Sequence, residues 1–443
     1  MPYNDSIKQS LNIIDPNLNF PLMCFSTEKR KGKICSFYTA YLTYVPLFCD
    51  SCGAENKDTI HKWGRVKSDV AIPRMGVNPS FVRLYKQRFK CDSCNSRFTA
   101  KTGFVDSGCY ISNLLRIEIA QKLSVKISMT DIAKELNIST STVYRSFNKY
   151  YEDHQINQFK LPEVLCFDEF KSVRNVAGSM SFVMMDWNTK KLVDIVSDRR
   201  LPQLRKYFER YTPEARKMVK FVAMDMYRPY MTLVKEMFPN AEIILDRFHI
   251  IQHLSRAFSI TRIQIMNRLK KTGSEGEKQY RRLKRYWKLL QKDSQKLNYS
   301  DRVWHSLFKR HVTETDIIDE LLGYDDELKR HYDVYQDLLF AFHHNDYDEF
   351  IKLIDEKYHS LNYKFKTVFN TFKKNRNFIK NSLKHKYSNG PLECFNNHIK
   401  VIKRIAYGYR NYSNFKKRIL IVFGNQPMTI KKAAPHDLSC EAA

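Results

Sequence analysis

Four apolar runs of this 443-residue chain end in aspartate: Val164-Leu-Cys-Phe-Asp168, Phe182-Val-Met-Met-Asp186, Phe221-Val-Ala-Met-Asp225 and Ile243-Ile-Leu-Asp246. A carboxylate at the end of a buried strand is a hard oxygen ligand on a rigid element, and a few together suit divalent-metal chemistry in an open α/β sheet. One more acid stands out by its isolation. From Lys364 to Arg418 the chain is dense in Lys and Arg, and Glu393 is the one acid among them. Such a stretch attracts phosphate, which makes a lone carboxylate within it a candidate metal ligand. Phosphodiester cleavage and transfer need these parts: two magnesium ions ~3.5–4 Å apart activate an attacking hydroxyl and stabilise the leaving 3′ oxygen. Water as attacker gives hydrolysis; a DNA 3′-OH gives strand transfer.

The elements that must hold these acids follow a definite order. Strands are expected at about 164–169, 181–187 and 191–197, joined by links short enough for an antiparallel meander. A helix at about 201–211, a strand at 219–224, a helix at 229–238 and a strand at 241–245 follow. This β-β-β-α-β-α-β order is that of a ribonuclease H-like fold, with the first, fourth and fifth strands parallel. Asp168, Asp225 and Asp246 then lie toward one end of the sheet and Asp186 at the far end, where it is structural. Helix signals at Ser388-Asn-Gly-Pro391 start a segment on which Glu393, Asn396, Asn397, Lys400 and Arg404 share a face opposite Phe395, Ile399, Ile402 and Ala406. Lys400, Lys403 and Arg404 are candidate DNA contacts.

Two further motifs lie upstream. Cys49-x-x-Cys52 and Cys91-x-x-Cys94 supply four thiolates, with the alternating Phe81-Val-Arg-Leu-Tyr leading to the second pair. This is a zinc-ribbon layout, and four protein ligands leave no open position, so the zinc is structural. Met129 to Phe147 fits a helix-turn-helix. Ile132, Ala133 and Leu136 form the inner face of its first helix, Asn137 takes the left-handed turn and Ser139 caps the second. Val143 and Phe147 point inward, leaving Ser141, Thr142, Tyr144 and Arg145 to face a groove.

Composition agrees. The net charge is +28 and the pI about 9.6, which asks for an extended polyanion and argues against a small-metabolite enzyme or an acidic adaptor. No apolar run could cross a membrane, the start of the chain has no secretory core, and the cysteines suit a reducing cytosol. Six segments are expected: 1–105 with the zinc ribbon, 106–155 with the helix-turn-helix, 156–255 and 376–425 as two parts of the catalytic core, 256–375 as an insertion, and the tail 426–443. The fold class is thus multidomain α+β: zinc ribbon, helix-turn-helix, and a ribonuclease H-like α/β core interrupted by an all-helical insertion. The basic stretch Arg256–Lys296 of the insertion reads either as a DNA-contacting surface or as a solvated helix pair, and Trp287 and Trp304 read as core residues.

Taken together, the zinc ribbon, the helix-turn-helix, Asp168 in Cys-Phe-Asp-Glu-Phe, Asp225, the Asp246-Arg-Phe-His249 box and the segment Asn389-Gly-Pro-Leu-Glu393 to Asn411 resemble the ISL-three family of bacterial insertion-sequence transposases. The resemblance runs from about residue 45 to residue 423. It implies a DDE transposase that uses magnesium or manganese, with Asp168, Asp225 and Glu393 as the metal-binding triad and Asp246, His249 and Asn396 in support. The partners it implies are the element's terminal inverted repeats and target DNA, engaged by a homodimer. The alternatives are a non-catalytic DNA-binding regulator derived from a transposase, and a ribonuclease H-like nuclease without strand transfer.

Overall fold

A computed structural model of the chain describes residues 3–150 and 155–424. The chain divides into two compact units, one of residues 1–154 with 399–443 and one of residues 155–398. The expected loop tail, 426–443, lies outside the described residues.

The first unit begins with α1 (Tyr3–Ser10) and a six-stranded sheet: β1 (Leu18–Asn19), β2 (Phe25–Arg30), β3 (Lys33–Leu42), β4 (Ile60–Met75), β5 (Asn78–Cys91) and β6 (Arg97–Thr99). β4 and β5 form a long antiparallel hairpin, β6 pairs with β5, and β3 lies parallel to β5. Alternation along β5 sends Val82, Leu84 and Phe89 into a core with Leu18, Ala40 and Val70. Three helices follow, α2 (Asn113–Leu123), α3 (Met129–Glu135) and α4 (Thr140–Tyr150). Ser112 and Ser128 cap the first two by accepting the Leu115 and Asp131 amides at 3.1 and 3.0 Å. Between α3 and α4, Asn137 adopts φ 54°, a conformation its short polar side chain tolerates. Ile132, Ala133, Leu136, Val143 and Phe147 are buried together.

The second unit is built on a five-stranded sheet of β7 (Val164–Lys171), β8 (Met180–Asp186), β9 (Leu192–Val196), β10 (Phe221–Met224) and β11 (Glu242–Leu245), in spatial order β11-β10-β7-β8-β9. β7, β8 and β9 form an antiparallel meander, and β10 runs parallel to both β7 and β11. α5 (Leu201–Phe208), α6 (Pro213–Lys217) and α7 (Arg228–Met237) connect the strands. Leu204, Phe208, Leu233 and Val234 pack with Leu165, Phe167, Val222 and Met224 on one face of the sheet. Helices α8 to α15 continue the chain: Arg247–Leu269, Ser274–Arg285, Trp287–Gln291, Glu314–Leu322, Asp326–His343, Tyr347–Glu356, Tyr363–Lys374 and Arg376–Lys384. α15 lies along β11, where Asn381 Nδ2 donates to the Ile243 carbonyl at 3.1 Å.

Two expectations need correcting here. The insertion is not all helical, because β12 (Val303–His305) and β13 (Arg310–Val312) form an antiparallel hairpin within it. Its turn is closed by Lys309 at φ 52° rather than by Gly or Pro, so the usual turn signal is missing from the sequence. Trp287 and Trp304 are not core residues, being 38% and 56% exposed. Trp304 sits on the hairpin opposite His311, while its neighbours Val312 and Phe308 take the buried positions.

α16 (Gly390–Ile405) and α17 (Tyr412–Val422) complete the chain. α17 belongs to the first unit, where Ile421 joins the core of α2, α3 and α4. Arg418, counted above among phosphate-attracting cations, is 2% exposed. Its guanidinium donates to the carbonyls of Leu123, Val125 (3.1 Å) and Ile127 (2.7 Å), so it holds the loop between α2 and α3.

Candidate active site and metal centres

Strand register aligns the acids. Phe167 is level with Met224 and Met224 with Leu245 in the two parallel pairings. One residue further along each strand stand Asp168, Asp225 and Asp246. Level residues on parallel strands point to the same face, and adjacent strands are ~4.8 Å apart. The three carboxylates therefore form a row on the face opposite Phe167 and Met224. Asp168 does not end its strand, contrary to the sequence reading. β7 runs on to Lys171, because β8 keeps pairing with it after β10 has stopped. Asp186 lies opposite Leu165, and its carboxylate accepts the Asn188 amide and the Thr189 hydroxyl in a turn.

The row is tied together unequally. His249, one turn into α8, has Nδ1 3.0 Å from Asp225 Oδ1 and 3.1 Å from Asp246 Oδ2. Bonds to these two carboxylates lift its pKa to about 10, so the imidazole is cationic at neutral pH. These three residues offer ligand atoms all within 4.8 Å of one another. Arg247 of the same box points elsewhere, donating to the carbonyls of Ser382 (2.8 Å) and Leu383 (3.1 Å).

Among the described residues Asp168 forms no ion pair. Its Oδ1 accepts the Glu169 amide at 2.7 Å and its Oδ2 accepts Asn396 Nδ2 at 2.7 Å. Burial, with the charges of Asp225 and Glu169 against it, pushes its carboxyl up to about 7 in spite of the amide. Asn396, expected from the resemblance in a supporting role, is 8% exposed. Asn389 is fully buried, donating to the Phe167 carbonyl at 2.9 Å and reaching Asp225 Oδ1 at 3.4 Å. The Oδ1 atoms of both asparagines are buried without a partner.

Glu393 is exposed on the first turn of α16, between these two asparagines in sequence. Residues 389, 393 and 396 lie within one helical face, but Glu393 belongs neither to the group of Asp225, Asp246 and His249 that could hold an ion nor to the lining of the cavity at the row. A cavity of about 190 Å³ opens at the row, lined by Asp168, Glu169, Asp225, Tyr227, His249 and His253 among others. Sequence reasoning missed Glu169, which accepts the Tyr230 hydroxyl at 2.9 Å and is paired with Arg199. It also missed Asn389, whose signal was its place four residues before Glu393 on the same face.

The four expected cysteines converge. Cys49 and Cys94 Sγ are 3.7 Å apart and Cys52 and Cys91 Sγ 4.0 Å, with all four within 4.8 Å. Tetrahedral zinc with ~2.3 Å bonds to sulfur spaces its ligands by ~3.8 Å, so the cluster can bind zinc. The amides of Cys52 and Ser51 and the Ser96 hydroxyl hold the Cys49 thiol down at about 6, which favours the thiolate that zinc requires.

On α4, Ser141, Tyr144 and Arg145 are exposed and Thr142 is half-buried. Ser139 Oγ accepts the Thr142 amide at 3.2 Å, Arg145 leans on Thr142 Oγ1 at 3.3 Å, and Asn414 of α17 donates to the Tyr144 hydroxyl at 3.2 Å. Lys400 and Arg404 are exposed on α16, and Lys403 is half-buried with its ammonium 6.0 Å from the Phe415 ring centre.

A row of acids at the carboxyl ends of three neighbouring parallel strands, in a strongly basic chain, is an arrangement that could hold a divalent metal against a polyanion. Comparison with known proteins narrows this. A family model described as Transposase, of the DDE ISL3 type, matches residues 165–419, and the chain belongs to that family. It is 23% identical over 398 residues to the transposase for insertion sequence element IS1001 of Bordetella parapertussis, covering 88% of this chain and 92% of the relative. It is 50% identical over 115 residues to a Lactococcus lactis subsp. lactis protein described as an ATP-dependent protease. That match covers 26% of this chain and 37% of the relative, and the sequence has no Gly-x-x-x-x-Gly-Lys-Ser/Thr phosphate loop. The family implies a transposase function, a DNA partner and the use of a divalent metal. No helix among the described residues is long and apolar enough to cross a membrane.

Proposed function

We propose that this chain is the transposase of an insertion sequence, which binds the element's terminal inverted repeats, cuts there and joins the 3′ ends to target DNA as a homodimer. The observation that carries the reading is the register: Asp168 and Asp225 stand level on adjacent parallel strands, with Asn396 and Asn389 of the Glu393 segment bonded to both. The strand order supports a ribonuclease H-like core, and the α3–turn–α4 unit supports a helix-turn-helix, with Ser141, Thr142, Tyr144 and Arg145 toward the groove. Lys400, Lys403 and Arg404 would contact phosphate.

Asp168, Asp225 and Glu393 would hold magnesium or manganese. The donor set fits, because it offers hard oxygens and Asp168 lacks a countercharge. Bound there, divalent ions supply Lewis acidity to the attacking hydroxyl and to the leaving 3′ oxygen. The chain's own residues prepare the place. Asn396 orients Asp168, Asn389 ties β7 to Asp225, and the His249 cation balances Asp225 and Asp246. Glu169 is kept apart by Arg199 and Tyr230.

The test is a labelled element end incubated with the protein and magnesium or manganese, with nicks mapped. Asp168→Ala, Asp225→Ala and Glu393→Ala should each lower cleavage by about 10³-fold or more, the loss of a main transition-state contact, with end binding kept. Cleavage by any variant at the wild-type rate removes that residue from the triad. A cut end that is never joined to a second duplex would favour the nuclease reading.

A further inference from the structure

The first part of β4 is exposed on both faces, from His61 through Lys67. β4 is the edge of its sheet, and its pairing with β5 breaks between Lys62 and Arg65, setting Trp63 and Gly64 out of register. Gly64 takes φ 74°, in the left-handed region, and its carbonyl accepts Gln87 Nε2 at 2.7 Å. A bulge of this kind bends an edge and re-aims a side chain. Here the side chain is Trp63, 46% exposed. Its ring lies 5.3 Å from the Lys90 ammonium and 5.1 Å from the Arg97 guanidinium.

Lys62, Arg65 and Lys67 continue the positive charge along the strand. Among the described residues Asp92 pairs with His61, Asp69 with Arg30 and Arg83, Asp50 with Lys101 and Glu55 with Lys57, and Asp58 forms no ion pair with any of these cations. The five cations around Trp63 have no acidic partner among the described residues. Lysine on an edge strand also guards against edge-to-edge pairing, but that role has no use for a half-exposed indole held between two cations.

We propose that the bulged start of β4, centred on Trp63, is a docking surface for the sugar–phosphate backbone of duplex DNA. The charge selects the partner, since five uncompensated cations on one ribbon call for a polyanion. The indole adds an apolar platform against sugar. A second copy of the chain would bring like charges together and meet the bulge. The proposal rests on DNA being the substrate, as argued above, and assigns contacts separate from those of α4 and α16.

The test uses the full chain and a labelled random-sequence duplex of about 30 base pairs, with affinity measured by anisotropy over a salt series. Each phosphate contact contributes about 0.9 to the slope of log affinity against log salt. The triple variant Lys62→Gln/Arg65→Gln/Lys67→Gln should lower the slope by about 2–3, and Trp63→Ala should weaken binding severalfold at an unchanged slope. A control triple on α12 and at α13 of the second unit, Lys329→Gln/Lys352→Gln/Lys357→Gln, should keep the wild-type slope. Should the ribbon triple melt early, Lys67→Gln alone decides, with an expected drop of about 0.9. A wild-type slope in the ribbon variants, or an equal drop in the control, overturns the docking surface and leaves the proposed function standing. Failure of the unmodified protein to bind any duplex overturns both.

Discussion

Asp168→Asn should inactivate the protein and, without metal, make it more stable. In the fold the Asp168 carboxyl keeps its proton to about pH 7, whereas in the unfolded chain it ionises near 3.9. Between those values the unfolded chain gives up a proton that the folded chain keeps. The carboxyl's contribution to stability is thus whole below about pH 4 and is lost as pH rises through about 7. About three pK units at 1.36 kcal/mol each set a ceiling of about 4 kcal/mol. Relaxation and partial solvent access reduce this to roughly 1–3 kcal/mol. Asparagine keeps the shape and an acceptor for the Glu169 amide while removing the charge, and its NH2 can donate to Asn396 once that amide turns its otherwise unpartnered Oδ1 inward. At about 2–4 °C per kcal/mol for a unit of this size, the variant should melt roughly 2–12 °C above wild type at pH 8 in chelator. By pH 4.5 the two curves should draw together. Saturating manganese at pH 8 should reverse the order, because only the wild type gains a ligand for its native state. Scanning calorimetry over this pH series decides the matter. A variant no more stable than wild type at pH 8 in chelator, or a gap of the same size at pH 4.5 and pH 8, would refute the reasoning.

His249 is linked to pH with the same sign in a more alkaline window. Its contribution is whole below about 6.5 and lost as pH rises through about 10, so His249→Gln in chelator should cost about 1–3 kcal/mol at pH 6.5 and nothing measurable at pH 10.5. An equal cost at both pH values would mean that packing, not charge, holds the residue. The purified protein should carry about one zinc per chain by elemental analysis, and Cys91→Ser should remove it and lower the melting temperature; full zinc occupancy in that variant would take Cys91 out of the site. Arg145→Ala should weaken binding to a cognate end by about 1–3 kcal/mol more than to random duplex if it reads a base, whereas equal losses on both would make it a phosphate contact.

Much of the sheet was legible because its strands are short apolar runs separated by helices of amphipathic period. Val164 to Phe167, Phe221 to Met224 and Ile243 to Leu245 are buried almost throughout, as strands covered on both faces must be. What could not be read was where each pairing stops. β7 outlasts β10, so Asp168 lies within a strand while Asp225 and Asp246 follow the ends of theirs. The parallel pairing of β3 with β5 is likewise absent from the local pattern, since it joins segments some forty residues apart in sequence. The β12–β13 hairpin was missed for want of a Gly or Pro signal, and with it the exposure of Trp304.

Within the site, charge was easier to read than amide. The isolation of Glu393 marked its helix, but that carboxylate is exposed, and the residues that dock the helix onto the sheet are Asn389 and Asn396. Periodicity put Asn396 on the face of Lys400 and Arg404, and the resemblance gave it a supporting role without saying what it touches. It is buried, because Asp168 offers an acceptor deep enough to offset the desolvation of one amide. Each asparagine donates one amide to the sheet and leaves a carbonyl oxygen buried and unpartnered, and a buried acceptor in that state calls for water or a cation. The two amides thus explain why the helix sits over the aspartates. A helix held by Glu393 itself would need its carboxylate buried against like charge, which costs more than the amide contacts that replace it.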